Sequence, residues 1–522
     1  MLTVGLGLFV LAASPQEPGV WEGLRAGPHE VGFRSSWARD AERPFEIRLE
    51  EGLVYEGPRP ILVLEWYPAQ PSGDLGGVGM SHEALFDIET DAPGLGALSR
   101  ALARHAREVA IGEITGWKES RTAREEEALA GLFARATPFL RDAPELEGEA
   151  PPLVLVHSGA ASSFEDNALL CGFLASHGFR VRSSAFLDGE GTSLGIDGGR
   201  ASILDLAFLA EHERVAGEEV PIAFVGHSLG AQAVLKAAAS GDCRAQALVL
   251  LDTTQDYYTL ETPVYAGFVR EVLAGSERVS QSILATASPV AAFLLLDRLE
   301  GAERRYLTFP TLDHNEYLSQ GLQHVRFEEL AGRAVEDARE VRQEFVSLCE
   351  YVLAFLRAEL LGGDADRRAL DEVYRGATLG AGIHLESAAV GDTSPPPFRP
   401  SEGVPTPRQF PHVLADLGAE GVRDLLRAQG DGAAARPLSE SRMLLGTALF
   451  TLIDRGDPEG ARTLHGFLES WCPGLLGVLW FQAEFSRLLD RPDSERRMLQ
   501  ALLVLDPDHA LARERLEKRE AR

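Results

Sequence analysis

The chain has 522 residues, for which two or three domains are expected because single cores cluster near 100–200 residues. Lys and Arg number 50 against 79 Asp and Glu, which gives a formal net charge of −29. A surface this acidic repels phosphate backbones and anionic lipid headgroups, so nucleic-acid and membrane-surface binding are disfavoured. No uncharged run reaches the roughly 20 residues of a membrane-spanning helix, so no stable membrane span is expected.

The N-terminus predicts export. Leu2 to Ala13 is uncharged and mostly apolar, and a polar stretch rich in Gly and Pro follows from Ser14. This pattern matches the apolar core and small-residue cleavage region of a secretory signal peptide. The basic residues that usually precede that core are missing, since no Lys or Arg occurs before Arg25. We expect residues 1–14 to be an atypical signal segment of a periplasmic or extracellular protein. A buried first strand is the alternative.

The middle of the chain alternates between strand and helix patterns. Apolar residues recur at helical spacing between residues 75 and 145, for example Leu95, Leu98 and Leu102, which predicts a helical insertion. Short apolar runs bounded by Gly or Pro predict strands at 45–49, 61–67, 153–156, 179–182, 222–225, 247–251, 290–296 and 306–309. Helical patterns separate most of the later runs, which is typical of a mainly parallel sheet covered on both faces. We expect one α/β domain over residues 15–360.

The C-terminal third has a different composition. Residues 361–437 are rich in Gly and Pro in part and predict a linker, which few contacts should cross. After it, Asp454-Arg-Gly-Asp457 recurs as Asp490-Arg-Pro-Asp493, a spacing of 36 residues (490 − 454). A period near 34 residues with two helices per unit is that of tetratricopeptide-type hairpins. Residues 438–522 are therefore predicted to form an all-α helical-repeat domain, with unrelated helical hairpins as the alternative.

The segment Gly226-His-Ser-Leu-Gly230 is the strongest catalytic signal in the chain. It follows a predicted strand and opens an Ala-rich helix, which is the context of a nucleophile elbow. In such an elbow a tight turn lifts the Ser228 hydroxyl clear of the sheet, and the flanking glycines relieve crowding. The backbone N–H groups at the helix start point toward developing negative charge. Ser228 is the predicted nucleophile.

A serine nucleophile needs a base and an acid. In folds with a nucleophile elbow the acid comes after the serine in the chain, and the histidine comes after the acid. His314 comes directly after the predicted strand 306–309 and is the predicted base, with His324 a weaker second candidate. His227 is a poor candidate for the base because its side chain should point away from that of Ser228, the next residue in the chain. Two acids remain open, Asp252 after the strand 247–251 and Asp297 after the run 290–296.

An oxyanion hole should be formed by two backbone N–H groups. One would come from Leu229, the residue after the nucleophile, and the other from the loop that follows strand 153–156. That loop reads His157-Ser-Gly-Ala-Ala161, and Gly159 is its best donor because the backbone can approach a substrate carbonyl there.

These motifs resemble a known family. Trp66-Tyr-Pro-Ala69, Leu174-Ala-Ser-His-Gly-Phe179 and Gly226–Gly230 make residues 30–355 similar to α/β-hydrolases of the platelet-activating-factor acetylhydrolase and dienelactone-hydrolase-like branch. The resemblance implies that the acid ends the strand after the nucleophile helix, which is Asp252, and that the base follows the last strand, which is His314. The family's oxyanion loop usually reads His-Gly, whereas this chain has His157-Ser-Gly159. The C-terminal segment resembles the tetratricopeptide extension of some bacterial serine hydrolases.

Together these features predict a serine hydrolase that cleaves a small-molecule or lipid carboxylic ester through an acyl-enzyme. No cofactor or metal is expected, because the sequence lacks a phosphate-binding loop, an HExxH motif and paired Cys/His ligand spacing. Two alternatives stay open. The same triad could cleave a peptide or thioester, or the fold could be a non-catalytic scaffold whose repeats bind a protein partner.

Overall fold

The computed structural model describes residues 20–49, 52–71, 79–160, 162–194, 199–211, 220–242, 244–377, 383–393, 397–399, 403–429 and 436–520. The predicted signal segment, 1–14, lies outside the described residues. The strands are β1 (Glu30–Leu49), β2 (Gly52–Ala69), β3 (Phe139–Arg141), β4 (Leu153–His157), β5 (Arg180–Ser183), β6 (Ile222–His227), β7 (Ala247–Leu251), β8 (Ser282–Ala287), β9 (Arg304–Thr308) and β10 (His384–Ala388).

The helices fall into an α/β part and a C-terminal part. The first group is α1 (Gly96–Thr115), α2 (Ala123–Ala134), α3 (Ala168–Ser176), α4 (Arg200–Glu211), α5 (Leu229–Ser240), α6 (Ala266–Ala274), α7 (Ser319–Leu330), α8 (Ala338–Leu360) and α9 (Asp364–Ala377). The second group is α10 (Phe410–Gln429), α11 (Arg436–Glu440), α12 (Arg442–Asp454), α13 (Pro458–Trp471), α14 (Leu475–Leu488), α15 (Pro492–Leu505) and α16 (Ala510–Glu520).

The described strands form one sheet in the order β10-β9-β8-β7-β6-β4-β5-β2-β1-β3. The central strands from β5 to β9 pair in parallel, while β2 joins β5 and β10 joins β9 in antiparallel orientation. Parallel neighbours need crossover connections, and helices such as α5 between β6 and β7 supply them. The predicted fold is confirmed: a mainly parallel α/β sheet with a helical insertion and a C-terminal helical region.

Helices cover the central strands on both faces. Because successive strand residues point to opposite faces, Val154, Val225 and Val249 pack on one side with residues of α3 and α8. Leu155 and Phe224 belong to the other side, where residues of α4, α5 and α6 cover the sheet. Burial on both faces explains why the central strands are continuous apolar runs rather than alternating ones.

The helical insertion between β2 and β3 packs against α7. Helix α2 begins with a capping box, in which Thr122 Oγ1 accepts from the Glu125 backbone N–H at 3.3 Å and the Glu125 carboxylate accepts from the Thr122 N–H at 2.8 Å. Two side chains of α7 bind carbonyls at the end of α1. Gln320 donates to the Ala110 carbonyl at 3.1 Å, and His324 Nδ1 lies 2.8 Å from the Ile114 carbonyl.

One predicted strand is wrong. The run 290–296 is not a strand, and β8 is formed instead by the preceding residues Ser282–Ala287. The run is apolar because both of its sides are covered. Phe293 and Leu295 pack on the α/β core, whereas Ala292 and Leu294 pack in a cluster with C-terminal helices.

The predicted linker, 361–437, contains regular structure in its described part. It includes α9, α10 and the edge strand β10, which pairs with β9 from His384↔Thr308 to Ala388↔Arg304. Arg408, which precedes α10, forms a buried bidentate pair with Asp297 at 2.8 and 2.6 Å. The described part of this segment is therefore joined to the α/β domain through β10 and Arg408.

The C-terminal helices recur at regular spacing. Pro458 and Pro492 occupy the first positions of α13 and α15, and they lie 34 residues apart (492 − 458). Proline is tolerated there because the first helical N–H groups have no partner within the helix. Two helix pairs, α12 with α13 and α14 with α15, follow the predicted period. Their assignment to the tetratricopeptide class stays a prediction.

The first of these helices, α12, is attached to the α/β domain by polar and apolar contacts. Thr259 N–H donates to Thr447 Oγ1 at 3.3 Å, and the Thr259 hydroxyl lies 3.0 Å from Thr451 Oγ1. Ser441, which precedes α12, donates to the Val290 carbonyl at 3.2 Å. All three threonines are buried, so the two parts of the chain share an interior surface.

These contacts change the outcome expected for a chain cut near residue 395. A fragment of residues 1–395 would lose Arg408 and α10–α16, leaving Asp297 without its buried cation and exposing Ala292 and Leu294. We expect it to aggregate or to melt well below the full chain. Size-exclusion chromatography and thermal unfolding would measure this. Co-expression of residues 396–522 is the control and should restore solubility. A monomeric fragment with an unchanged melting temperature would contradict the expectation.

Candidate active site

Ser228 lies on a sharp turn between β6 and α5. Its backbone angles are φ 52° and ψ −116°, a conformation that residues with a side chain rarely adopt. A Cβ on Gly226 would lie 2.4 Å from the Gly230 carbonyl oxygen, and one on Gly230 would lie 2.3 Å from that of His157. Only glycine fits at either flank. The turn therefore depends on the glycines of the motif and presses the start of α5 against the loop after β4.

The structure brings three predicted residues together. Ser228 Oγ lies 3.0 Å from His314 Nε2, and His314 Nδ1 is hydrogen-bonded to Asp252 Oδ2. Ser228 and Asp252 follow the neighbouring strands β6 and β7, so their side chains emerge side by side. Asp252 is buried at 2% exposure, while 44% of the His314 side chain is open to solvent. The predicted base, His314, is therefore accessible from solvent, and the predicted acid, Asp252, is shielded behind it.

Several hydrogen bonds fix the loop that carries His314. Glu344 of α8 accepts hydrogen bonds from the backbone N–H groups of Thr311 at 2.9 Å and Leu312 at 3.2 Å. Asp313 and Glu316 form a capping box around the short 3-10 helix that begins at His314. The base is therefore held on a fixed backbone although its ring is exposed.

His227 contacts the backbone of the predicted base, His314. Its Nε2–H donates to the His314 carbonyl oxygen at 2.8 Å, and the two rings lie 4.6 Å apart. Burial, together with the nearby His314, holds the pKa of His227 well below its usual range. A neutral imidazole with its proton on Nε2 fits this donation. The prediction that His227 is not the base agrees with this placement.

The free oxygen of the acid is also bound. The Tyr257 hydroxyl donates to Asp252 Oδ1 and accepts from the Ser288 N–H at 3.0 Å. Burial and the Asp252 charge raise the pKa of Tyr257 well above its usual range, so the phenol keeps the proton that it donates. Both Asp252 oxygens therefore have donors, which orients the carboxylate toward His314.

A second hydroxyl lies beside the nucleophile. Thr254 Oγ1 is 3.1 Å from Ser228 Oγ. When the Ser228 proton is donated to His314, the Thr254 hydroxyl is left as the donor to a lone pair of Ser228 Oγ. Sequence reasoning identified neither Thr254 nor Tyr257, because hydroxyl residues in a turn carry no local mark of such a contact.

The loop after β4 approaches Ser228 at Gly159. A Cβ built on Gly159 would lie 3.0 Å from both Ser228 Cβ and His227 Nδ1, so a larger residue would crowd the nucleophile. The preceding His157 stacks on Phe186 with ring centroids 3.8 Å apart, and its Nδ1 lies 2.6 Å from the Ser158 carbonyl. Gly159, one predicted oxyanion donor, therefore lies beside Ser228 in space. Leu229, the other predicted donor, follows Ser228 in the chain.

The alternative acid and the second candidate base have other partners. Asp297 is buried, pairs with Arg408 and accepts from the Tyr306 hydroxyl at 2.8 Å. It lies on a 3-10 turn, because the run before it is not a strand. His324 bonds to the end of α1 as described above. Neither residue contacts Ser228 or His314 through any hydrogen bond among the described residues. Asp297 is the buried partner of Arg408.

A cleft of about 300 Å³ opens beside the triad. It is lined by Asp252, Thr254, Tyr257, Tyr258, Ser288, Leu312, Asp313, His314 and Met443. Across the described parts of the chain, no group of three or more His, Cys, Asp or Glu residues is arranged to hold a metal ion. No described helix is long and apolar enough to cross a membrane.

Known proteins show little similarity to this chain. No family model matches the chain, and no curated protein matches it. Among solved structures, a ferulic acid esterase from Streptomyces cinnamoneus is similar, with 17% sequence identity and a TM-score of 0.40 over 65% of this chain and 93% of that one. A likeness this weak says nothing about the activity of this chain, which has to be argued from its own site.

The two aspartates should respond differently to the same change. Asp252→Asn should lower kcat by about 10⁴-fold, because His314 loses its orienting carboxylate. Asp297→Asn should leave kcat within a few-fold but lower the free energy of unfolding by on the order of 1–3 kcal/mol, since the buried Arg408 loses one of its two carboxylate partners and keeps only Glu386. Steady-state kinetics and denaturant unfolding of both variants would measure this. The reverse ranking in kcat would assign the acid to Asp297.

The hydroxyl of Tyr257 should matter for rate rather than for binding. Tyr257→Phe removes the donor to Asp252 and should lower kcat by about 10-fold with KM unchanged, if about 1–2 kcal/mol of orientation is lost. The neighbouring Tyr258→Phe is the matched control, because no hydrogen bond between Tyr258 and Asp252 occurs among the described residues. Equal kcat values for the two variants would show that the Tyr257 hydroxyl does not support the acid.

Proposed function

We propose that this chain is a serine hydrolase that cleaves a carboxylic ester through an acyl-enzyme. The observation that carries the proposal is the continuous hydrogen-bonded path from Ser228 Oγ through both ring nitrogens of His314 to Asp252. Nucleophile, base and orienting acid are within hydrogen-bond reach in the order that acyl transfer requires. The strained backbone of Ser228 supports the same role, since such strain is concentrated at functional sites.

The first half of the reaction transfers the acyl group to the enzyme. Ser228 Oγ attacks the ester carbonyl carbon while its proton moves to His314 Nε2. Asp252 stabilises the resulting imidazolium through the Nδ1–H bond. The tetrahedral intermediate then collapses, its carbon–oxygen bond to the alcohol breaks, and His314 returns the proton to the leaving alkoxide. The alcohol departs and the acyl group remains bonded to Ser228.

The second half repeats these roles with water. His314 takes a proton from a water molecule, whose oxygen attacks the acyl carbon. The bond to Ser228 Oγ breaks, the serine regains its proton from His314, and the carboxylic acid leaves. In both halves negative charge develops on the carbonyl oxygen. The backbone N–H groups of Gly159 and Leu229 would bind that oxygen, and the N-terminal end of α5 adds favourable potential.

The assembled site also bears on the alternatives. A scaffold would not need a hydroxyl, an imidazole and a carboxylate in hydrogen-bonding order, so the site favours an enzyme over a partner-binding platform. The same triad could cleave thioesters or amides. Ester cleavage is the proposal because an alkoxide leaves more readily than an amide nitrogen and so needs less protonation by His314, and amide cleavage would be tested beside it.

The test uses a fluorophosphonate probe, which phosphonylates an activated serine. We expect the probe to label the full chain at Ser228 and 4-nitrophenyl acetate to be hydrolysed. Ser228→Ala should abolish labelling and reduce kcat by about 10⁴-fold or more. Ser240→Ala is the control, because Ser240 ends α5, is exposed and lies far along the helix. Unchanged turnover in Ser228→Ala would refute the proposal. Cleavage of a matched amide or thioester faster than the ester would change the substrate class.

A further inference from the structure

Among the described residues of the C-terminal helical region, one side chain lines the active-site cleft. Met443, the second residue of α12, is half-buried and lines the cleft together with Tyr258, Leu312 and His314. We propose that Met443 is a specificity-determining residue that sets the size of the alcohol portion of the ester. The inference rests on the proposed function, and it gives the helical region a part in the active site.

The position of Met443 is fixed by its neighbours on the helix. Residues four apart lie on the same helix face, so Met443, Thr447 and Thr451 form one stripe. Thr447 and Thr451 are the residues that bond Thr259 of the α/β domain. Ser441, just before the helix, binds the Val290 carbonyl. Met443 therefore lies between two attachment points, and its backbone cannot move away from the cleft without breaking them.

The direction of the reaction decides which half of the ester lies in this cleft. His314 must protonate the leaving oxygen, so the alcohol departs on the side of His314. The cleft is lined by His314 and Thr254. The predicted oxyanion donors, Gly159 and Leu229, are not among its described lining residues, and neither is Ser228. The carbonyl oxygen would point toward those donors, and the proposal places the alcohol, which leaves on the side of His314, in the cleft.

The chemistry of the lining indicates a mainly apolar alcohol that carries no negative charge. The polar groups at its base are already paired, since Asp252 binds His314 and Tyr257, and the Tyr257 hydroxyl also accepts from the Ser288 N–H. The remaining lining is mostly apolar, through Tyr258, Leu312 and the half-buried Met443, while the exposed Asp313 carboxylate disfavours an anionic alcohol. A volume of about 300 Å³ is at the small end of ligand pockets. The unbranched thioether of Met443 can adjust to several alcohol shapes.

The test compares two series of esters. One series keeps an acetyl group and enlarges the alcohol from methyl through butyl to cyclohexyl, and the other keeps an ethyl alcohol and lengthens the acyl chain. Met443→Ala should raise the ratio of kcat/KM for cyclohexyl over methyl acetate by about 10-fold. Met443→Trp should lower that ratio by a similar factor. Neither variant should change the ranking within the acyl series.

Leu452→Ala is the matched control. Leu452 is a half-buried residue of the same helix, but it packs against the apolar cluster of α10, α12 and α13 rather than the cleft. The Leu452→Ala variant should lower the melting temperature without changing the relative kcat/KM values within either ester series. A Met443 variant that alters the acyl ranking, or leaves the alcohol ranking unchanged, would overturn the inference while ester hydrolysis stands. An unsubstituted chain that cleaves no ester of either series, and is not labelled at Ser228, would refute the proposed function itself.

Discussion

The site depends on the hydrogen bond between Asp252 and His314, because it joins two segments that the sheet holds apart. Asp252 follows β7, whereas the chain reaches His314 only after β9, two strands away. The loop after β9 must turn back across the sheet edge, and an exposed loop would not hold an imidazole in one orientation by itself. Glu344, the capping box at Asp313 and the His227 ring supply that orientation from three directions. As a result, the backbone around His314 is held in place by these contacts while its ring stays accessible.

Local motifs made part of this site predictable. The glycines on either side of Ser228 indicate a strained turn because no other residue fits there. The periodicity of apolar residues predicts the strand before it and the helix after it. The choice of acid was harder. Asp252 and Asp297 both follow apolar runs, and only the structure shows that the second run owes its apolar character to burial between the sheet and the C-terminal helices. Long-range packing of this kind leaves no periodic signal.

The supporting residues could not be predicted for a related reason. Thr254 and Tyr257 lie in a turn, where hydroxyl side chains are common. Ser228 and the Ser288 N–H become their neighbours only when β6, β7 and β8 pair, whereas Tyr257 reaches Asp252 within the turn itself. Glu344 lies in a helix whose amphipathic pattern says nothing about a carboxylate that binds a distant loop. The capping box of Asp313 and Glu316 is different, since its spacing can be read directly and would have marked a short helix at His314.

The C-terminal region and the acid are coupled through one loop. Ser288, at its start, donates its N–H to Tyr257, which in turn holds Asp252. Two residues later the Val290 carbonyl accepts from Ser441 at the start of α12, and at the far end of the loop Asp297 binds Arg408. The loop is thus held at both ends by the C-terminal region while its first residue supports the triad. A boundary drawn by composition alone would separate Asp252 from the contacts that hold this loop in place, so the helical region and the proposed site form one physical unit.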